Sequence, residues 1–240
     1  CGTATSAVAP LTVNLSLADA FNPGVDNRVY ALAMQANGQI LVGGVFTRVG
    51  GQNRTNLGRL NLDGSLDLSF DPGPSGSLNA SESPAVYSMV VQADGKILVG
   101  GNFTKLCGQS RTNLGRLEPN GAIDPTFRQV GALRVSSLLV QPDGKILVGG
   151  SFVHRLNADG SDDPTFERTE DPYVNSLALQ PDGKIIVAGD YLSRLNPDGS
   201  RDLSFIREIG ANFNCIAVQA DGGILVSGDY YLRIARLNSD

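Results

Sequence analysis

The chain has 240 residues, a formal net charge of −5 and only 18% charged residues. Nucleic-acid-binding proteins usually present a strongly basic surface, so we expect no nucleic-acid partner. No apolar run approaches the roughly 18 residues that span a bilayer as a helix. The 29 glycines and 12 prolines accompany 41% hydrophobic residues, which indicates a folded chain with many tight turns.

The chain begins with Cys1-Gly2 and continues with small residues as far as Pro10. This pattern is typical of a processed lipoprotein, in which the first cysteine carries lipid; the alternative is a fragment boundary that falls on a cysteine. We interpret residues 1–14 as a flexible tether, and lipid on Cys1 would stabilise membrane attachment by about 0.8 kcal/mol per buried CH₂. We therefore expect an extracytoplasmic protein, at a bacterial cell surface or on the outer membrane, with membrane contact only through Cys1. Cys107 and Cys215 lack CxxC spacing and are interpreted as packed residues.

One segment recurs five times along the chain, around Gly38, Gly95, Gly144, Gly183 and Gly222. These glycines are 57, 49, 39 and 39 residues apart. A repeat of this length is typical of propeller blades. No helical periodicity competes with it.

Each repeat divides into four short extended segments, which in the third copy are residues 135–141, 146–150, 155–157 and 163–166. The pair Asp143-Gly144 predicts a hairpin between the first two segments, which are apolar at nearly every position. Such strands must be covered on both faces, as the inner strands of a blade are. The polar fourth segment contains Pro164, and a proline inside a sheet belongs on an exposed edge.

The two ends of the chain complement each other, since the fifth copy stops at Asp240 where its fourth strand is due. Residues 16–24 align with residues 65–73, which form the fourth segment of the first copy. We therefore predict an all-β fold: a five-bladed β-propeller of four-stranded antiparallel blades over residues 15–240, with the last blade closed by the N-terminal strand. The predicted repeats are residues 29–70, 86–127, 135–166, 174–205, and 213–240 together with 16–21.

The repeat Q-x-D-G-K-I-L-V-G-G, followed by R-L-N-x-D-G-S and D-x-T-F, resembles the delta-60 repeat family of bacterial β-propellers. The resemblance covers about residues 16–240. It implies a secreted or surface-associated bacterial protein without an assigned activity, and it carries over no catalytic residues.

An arginine recurs on the third segment, and in four copies an aspartate follows eight residues later. The arginines are Arg59, Arg116, Arg155, Arg194 and Arg236, and the aspartates are Asp67, Asp124, Asp163 and Asp202. A ring of five arginines could bind an anion. We favour local cross-strand pairs, each worth roughly 0.2–1 kcal/mol if exposed.

Candidates for catalysis and for metal binding are weak in this sequence. The turns of the type Asn61-x-Asp63-Gly64-x-x-Asp67 place glycine after the second candidate ligand, which is the wrong register for a calcium loop. His154 is the only histidine, and it occupies a position that is small in the other copies. We expect no metal, no cofactor and no catalytic residue. The alternative is a carbohydrate-active enzyme or a glycan-binding propeller, and the enzyme would need two carboxylates facing each other at the axis.

The first two copies carry ten extra residues between the second and third strands. Phe46 and Arg59 are 13 positions apart, whereas Phe152 and Arg155 are 3 apart. In a propeller these insertions share a face with the links between blades, and loops of this kind commonly bind partners. The alternative is that they are relics of an ancestral repeat. Our candidate binding residues are Arg48, Asn53, Arg54, Lys105, Gln109 and Arg111.

The sequence therefore predicts a non-catalytic extracytoplasmic binding or scaffolding propeller. It would contact a protein partner or the subunits of a membrane-associated assembly, to which Cys1 could anchor it.

Overall fold

The structure is a computed structural model. It describes residues 21, 23–128, 134–169, 173–205, 208–209, 212–229 and 234–238. Within these ranges every regular element is a β-strand, and none of the elements is a helix with the length and hydropathy needed to cross a membrane. The predicted all-β class is confirmed.

Twenty strands follow one another along the described chain. The first copy contains β1 (Val29–Met34), β2 (Ile40–Gly44), β3 (Arg48–Val49), β4 (Gln52–Asn53) and β5 (Leu57–Leu60). The second contains β6 (Ala85–Val91), β7 (Ile97–Asn102), β8 (Lys105–Leu106), β9 (Gln109–Ser110) and β10 (Leu114–Leu117). The third contains β11 (Val135–Val140), β12 (Ile146–Gly150) and β13 (Val153–Leu156). The last two contain β14 (Val174–Leu179), β15 (Ile185–Gly189), β16 (Tyr191–Leu195), β17 (Glu208–Ile209), β18 (Phe213–Val218), β19 (Ile224–Gly228) and β20 (Ala235–Leu237).

These strands form five antiparallel sheets in chain order. Their strand orders are β1-β2-β5, β6-β7-β10, β11-β12-β13, β14-β15-β16-β17 and β18-β19-β20. Two further hairpins, β3-β4 and β8-β9, come from the insertions of the first two copies. The predicted Asp-Gly hairpins are confirmed: Gly144 closes the turn between β11 and β12 with φ +86°, a conformation that glycine adopts without steric cost.

The hydrophobic core lies between successive sheets rather than within one of them. One cluster joins Leu98 of the second sheet to Val135 and Leu138 of the third, and equivalent clusters join the other neighbouring sheets. The sheets approach closely because Gly100 has no side chain: a Cβ there would lie 2.5 Å from Cγ1 of Val135. In the first three copies the first glycine of the Gly-Gly pair, Gly43, Gly100 or Gly149, therefore permits this close approach. Ala188 and Ser227 stand at the same place in the fourth and fifth copies.

The fourth segment differs from the prediction of a regular outer strand. In the second sheet it makes a single bridge, Leu117 to Ile123, and then turns. Asp124 Oδ1 accepts hydrogen bonds from the backbone N (2.9 Å) and the Oγ1 (2.7 Å) of Thr126. An aspartate that satisfies its own backbone in this way competes with sheet pairing. Among the described sheets only the fourth has four strands, because β17 pairs with β16.

The predicted closure of the ring depends mainly on residues 16–20, which lie outside the described residues. Phe21 packs where the alignment places it: its ring lies 2.9 Å from the Cβ position of Gly64, just as the ring of Phe70 lies 2.6 Å from that of Gly121. The outer face of β1 is nevertheless open in the described structure. Leu32 is 67% exposed, whereas Met89 at the same place in the second sheet is 8% exposed. The described part of the fifth sheet does not cover this face of the first.

Candidate functional site

A β-bulge interrupts every inner strand at the same position. In β6, Val86 pairs with Gly101 and Ser88 with Gly100, so Tyr87 has no partner in the ladder. The second glycine of the repeated pair permits this geometry, because a Cβ on Gly101 would lie 2.0 Å from the carbonyl oxygen of Ala85. Bulges re-aim a side chain and often occur beside functional sites. The bulged residues are Tyr30, Tyr87, Ser136, Asn175 and Asn214.

All five bulged side chains line one cavity of about 680 Å³, which we call the axial cavity. It lies where the inner strands begin, on the face that carries the insertions and the links between sheets. Arg134, Gly150, Ser151 and Tyr173 complete its described lining. A volume of this size is typical of sites for small molecules.

One side of the axial cavity is aromatic. The rings of Tyr30 and Tyr87 have centroids 5.4 Å apart, and the guanidinium carbon of Arg134 lies 4.4 Å from the centroid of Tyr87. Burial raises the pKa of the Tyr87 phenol although Arg134 opposes the shift, so this hydroxyl stays protonated at neutral pH. Tyr173 is 71% exposed and has φ +56°, an unusual conformation for a bulky residue.

The other side of the axial cavity is polar and neutral. Nδ2 of Asn175 donates to the carbonyl oxygen of Phe213 at 3.0 Å, and Nδ2 of Asn214 donates to Oδ1 of Asp229 at 2.7 Å. These bonds fix both amides and leave their carbonyl oxygens as acceptors. Ser136 adds a hydroxyl. The cavity therefore combines stacking surfaces, hydrogen-bonding groups and one cation.

A second cavity, of about 510 Å³, lies at the other end of the inner strands. Its lining includes a glutamine and a proline or alanine that recur from repeat to repeat: Gln141, Pro142, Gln180, Pro181, Gln219 and Ala220. Because these residues belong to the repeated pattern, they are part of the common architecture. The lining of the axial cavity, in contrast, differs from sheet to sheet.

The predicted binding residues on the insertions do not share one environment. Arg48, Asn53, Lys105 and Gln109 are exposed, and Arg111 is half-buried. Arg54 is buried: its Nη1 lies 3.2 Å from Oδ2 of Asp71, and its Nη2 donates to the carbonyl oxygen of Leu68 at 2.9 Å. Arg54 therefore holds the insertion against its own sheet.

Both insertions are fixed at their tips. The backbone N of Cys107 donates to the carbonyl oxygen of Pro72 at 2.6 Å, and that of Gly50 donates to Pro23 at 2.6 Å. Cys107 has φ +51°, close to the +58° of Gly50, so the two residues have the same backbone conformation at the same place in the two insertions. Nδ2 of Asn56 donates to the carbonyl oxygen of Pro74 at 3.0 Å, so the link 71–85 between the first two sheets lies beside the first insertion.

The arginine–aspartate pairs are confirmed in the first four sheets, and they do more than expected. Nε of Arg116 lies 2.7 Å from Oδ2 of Asp124, while its Nη1 donates to the carbonyl oxygen of Ala158 in the third sheet at 2.6 Å. Arg59 and Arg155 reach the next sheet in the same way. These arginines therefore join neighbouring sheets. Arg236 instead contacts Gln219 and Asp221 in its own sheet.

His154 and the aspartates of the Asp-Gly turns make contacts that stabilise the fold. Burial lowers the pKa of His154 to about 4, and its ring centroid lies 5.4 Å from that of Phe152. In the turn at Gly64, Oδ1 of Asp63 accepts from the N (2.9 Å) and the Oγ (2.6 Å) of Ser65. Among the described residues no three histidine, cysteine or acidic side chains gather as a metal site would require.

The repeats match a family model that is described as a domain of unknown function (DUF5122) β-propeller. The matched segments are residues 35–70, 92–127, 141–166, 180–205 and 219–240, more than half of the chain. The chain belongs to the DUF5122 β-propeller family. This supports the predicted bacterial propeller repeat, while the delta-60 name itself stays a prediction. No protein with a curated description matches the sequence.

Solved structures similar to this DUF5122 chain confirm the propeller fold. A streptogramin B lyase is 17% identical with a TM-score of 0.59, over 90% of this chain and 67% of the lyase. A virginiamycin B lyase from Staphylococcus aureus is 14% identical with a TM-score of 0.56, over 89% and 72%. The extracellular domain of a B. thetaiotaomicron protein described as a one-component system is 20% identical with a TM-score of 0.56. There the match covers 90% of this chain and 28% of the other, so this chain spans less than a third of that structure.

The axial cavity was not among our sequence candidates. A signal for it was present: within inner strands that otherwise repeat, the residue after the first Val or Phe is Tyr, Tyr, Ser, Asn and Asn in the five copies. Position along the repeat alone does not reveal that this residue is bulged and that all five copies converge.

Proposed function

We propose that this chain is a non-catalytic, extracytoplasmic binding propeller whose ligand site is the axial cavity. The observation that carries the proposal is the convergence of five bulged side chains, from Tyr30 to Asn214, on one cavity. Aromatic, amide, hydroxyl and guanidinium groups bind and orient ligands. The extracellular domain among the similar structures supports a location outside the cytoplasm.

A fragment screen by ligand-observed NMR tests this site. Ser136→Trp would fill the axial cavity, and Ala220→Trp would make the same change at the opposite cavity. We expect fragment signals to be lost with Ser136→Trp and kept with Ala220→Trp. Binding that survives Ser136→Trp, or that only Ala220→Trp removes, would refute the proposed site.

We further propose that the exposed insertion residues contact a protein partner or assembly. Arg48 and Lys105 are exposed at the start of the two inserted hairpins. Reversing both charges to glutamate should weaken a co-purifying partner without lowering the unfolding temperature. Arg128→Glu is the control, since Arg128 is an exposed arginine beside Asp159 in the Asp-Gly turns of the opposite face. Equal loss of the partner in both variants would contradict this surface.

We also propose the complete ring of five blades, with residues 16–21 as the outer strand of the fifth. The packing of Phe21 on Gly64 and the bond from Gly50 to Pro23 support it, because both repeat contacts made between the first and second copies. A disulfide crosslink can test closure of the ring. Between the second and third sheets, Oγ of Ser88 accepts a hydrogen bond from the backbone N of Leu138 at 3.0 Å.

Where the fifth sheet would meet the first in a closed ring, Cys215 occupies the place of Ser88, and Leu32 occupies the place of Leu138. Leu32→Cys, with Cys1 and Cys107 replaced by serine, should therefore form a disulfide with Cys215 within the monomer. The pair Ser88→Cys and Leu138→Cys, in a chain whose other cysteines are serine, is the positive control. A disulfide only between molecules, or none while the control crosslinks, would exclude a closed ring.

Lipidation of Cys1 remains part of the proposal, and Cys1 lies outside the described residues. Intact mass of the protein from its native source should show added lipid mass. An unmodified Cys1 would remove the anchor and leave the binding site unaffected.

A further inference from the structure

The aromatic side of the axial cavity suits a flat ligand that is polar at its edge. Tyr30 and Tyr87 stand side by side, and Tyr173 is exposed at the rim. Tyrosine has an apolar ring face and a polar hydroxyl, so it packs against C–H surfaces and hydrogen-bonds at the same time. Pyranose rings present such C–H faces.

The polar side supplies partners for hydroxyl groups. Asn175 and Asn214 donate their amide protons to Phe213 and Asp229, so their carbonyl oxygens are fixed acceptors. A saccharide hydroxyl is a donor that such acceptors bind. Ser136 can donate or accept.

Arg134 would make the axial cavity selective for acidic ligands. The structure records no carboxylate of the described residues within ion-pair distance of its guanidinium, which stacks on Tyr87. Stacking leaves the N–H edge available, and a guanidinium edge binds a carboxylate through two parallel hydrogen bonds. The two carboxylate oxygens of Asp229 accept hydrogen bonds from Nδ2 of Asn212 and Nδ2 of Asn214.

We propose that the axial cavity binds an acidic saccharide, with pyranose rings on the tyrosines, hydroxyls on the asparagines and a carboxylate on Arg134. The proposal rests on the proposed function and names the ligand class of the same site. A cavity of about 680 Å³ has room for a short oligosaccharide rather than a monosaccharide alone.

Two matched probes test it: a trisaccharide of galacturonic acid and a neutral trisaccharide of galactose. Calorimetry and tyrosine fluorescence can both follow binding, because the chain has six tyrosines and no tryptophan. We expect the acidic probe to bind roughly ten- to a hundredfold more tightly, the range of one charge-assisted hydrogen-bonded contact. Arg134→Gln should abolish the preference, and Arg134→Lys should restore part of it. Arg128→Gln, on the opposite face, should leave it unchanged, and Tyr87→Leu should weaken both probes alike.

Equal affinity for both probes, or a preference that survives Arg134→Gln in a protein with an unchanged unfolding temperature, would overturn the carboxylate assignment. If neither probe binds, but NMR fragments bind the unchanged protein and are lost with Ser136→Trp, the ligand is not a saccharide and the proposed function stands. If Ser136→Trp displaces no fragment either, the proposed function itself fails. A carboxylate-bearing peptide that outcompetes the acidic trisaccharide would assign the cavity to peptides instead.

Discussion

Arg116 joins two sheets, and replacing it tests how the propeller is held together. Its guanidinium pairs with Asp124, donates to Ala158 in the next sheet and lies 4.7 Å from the ring centroid of Phe127. Its side chain is 10% exposed, and that of Asp124 is 0% exposed. Arg116→Ala would therefore leave a buried carboxylate without its guanidinium.

Removing one partner of a buried ion pair typically costs about 3–5 kcal/mol. Asp124 would retain hydrogen bonds from Lys96 and Thr126, so we expect the lower end, about 3 kcal/mol. For a chain of this length each kcal/mol lowers the unfolding temperature by about 2–4 °C, which gives a decrease of about 6–12 °C. Denaturant unfolding followed by circular dichroism should show a lower midpoint concentration and an unchanged slope of free energy against denaturant.

Arg236→Ala is the matched control, since Arg236 has the same place in the fifth sheet. Its side chain is 56% exposed and contacts Gln219 and Asp221 rather than a neighbouring sheet. We expect its midpoint to stay near that of the unchanged protein. Equal losses in both variants would show that burial and the contact between sheets do not matter, and an unchanged midpoint in Arg116→Ala would refute the reasoning altogether.

Three further predictions concern stability. Burial opposes the charge on Asp124, but hydrogen bonds led by that from Thr126 lower the pKa of its carboxyl. The contribution of Asp124 to the free energy of unfolding is therefore complete above about pH 4 and is lost as the pH falls. In Asp124→Asn the stability should depend less steeply on pH in the acid range. Burial lowers the pKa of His154 to about 4 against an unfolded value of about 6.5, so stability should fall by up to about 3 kcal/mol between these pH values, and His154→Ser should remove that fall in calorimetric melts. Gly100→Ala would place a Cβ 2.5 Å from Val135 and should cost about 1–3 kcal/mol in urea titrations. A flat pH profile for the unchanged protein, or an unaltered midpoint in Gly100→Ala, would contradict these predictions.

The inner and second strands could be predicted because local and global signals agree there. Asp143-Gly144 specifies the turn, the apolar run specifies burial, and the repeat shows that neighbours cover both faces. The arginine–aspartate pairs were also readable, since eight residues separate Arg116 from Asp124 across a short turn. The bond from Arg116 to Ala158 was not, because it depends on how two sheets pack.

The fourth strand was overestimated for a local reason. Its polar residues and Pro164 suggested an edge strand, but Asp124 and Thr126 form hydrogen bonds within the turn in place of a regular ladder. Arg54 shows the same limit on a surface loop. The sequence places it among the candidate binding residues of the insertions, and only the folded insertion brings Leu68 and Asp71 to its guanidinium.

The Gly-Gly pair explains how one repeat can serve both folding and recognition. Gly100 lets the next sheet approach, and the residues that face it, Val135 and Leu138, are buried and constrained by packing. Gly101 permits the bulge, which removes Tyr87 from the ladder and turns it into the axial cavity. The bulged side chains are not part of the apolar clusters between sheets, so they can change from tyrosine to serine to asparagine without disturbing that core. Five such positions meet in one cavity, and this is why a nearly uniform repeat produces a binding site whose two sides differ in chemistry.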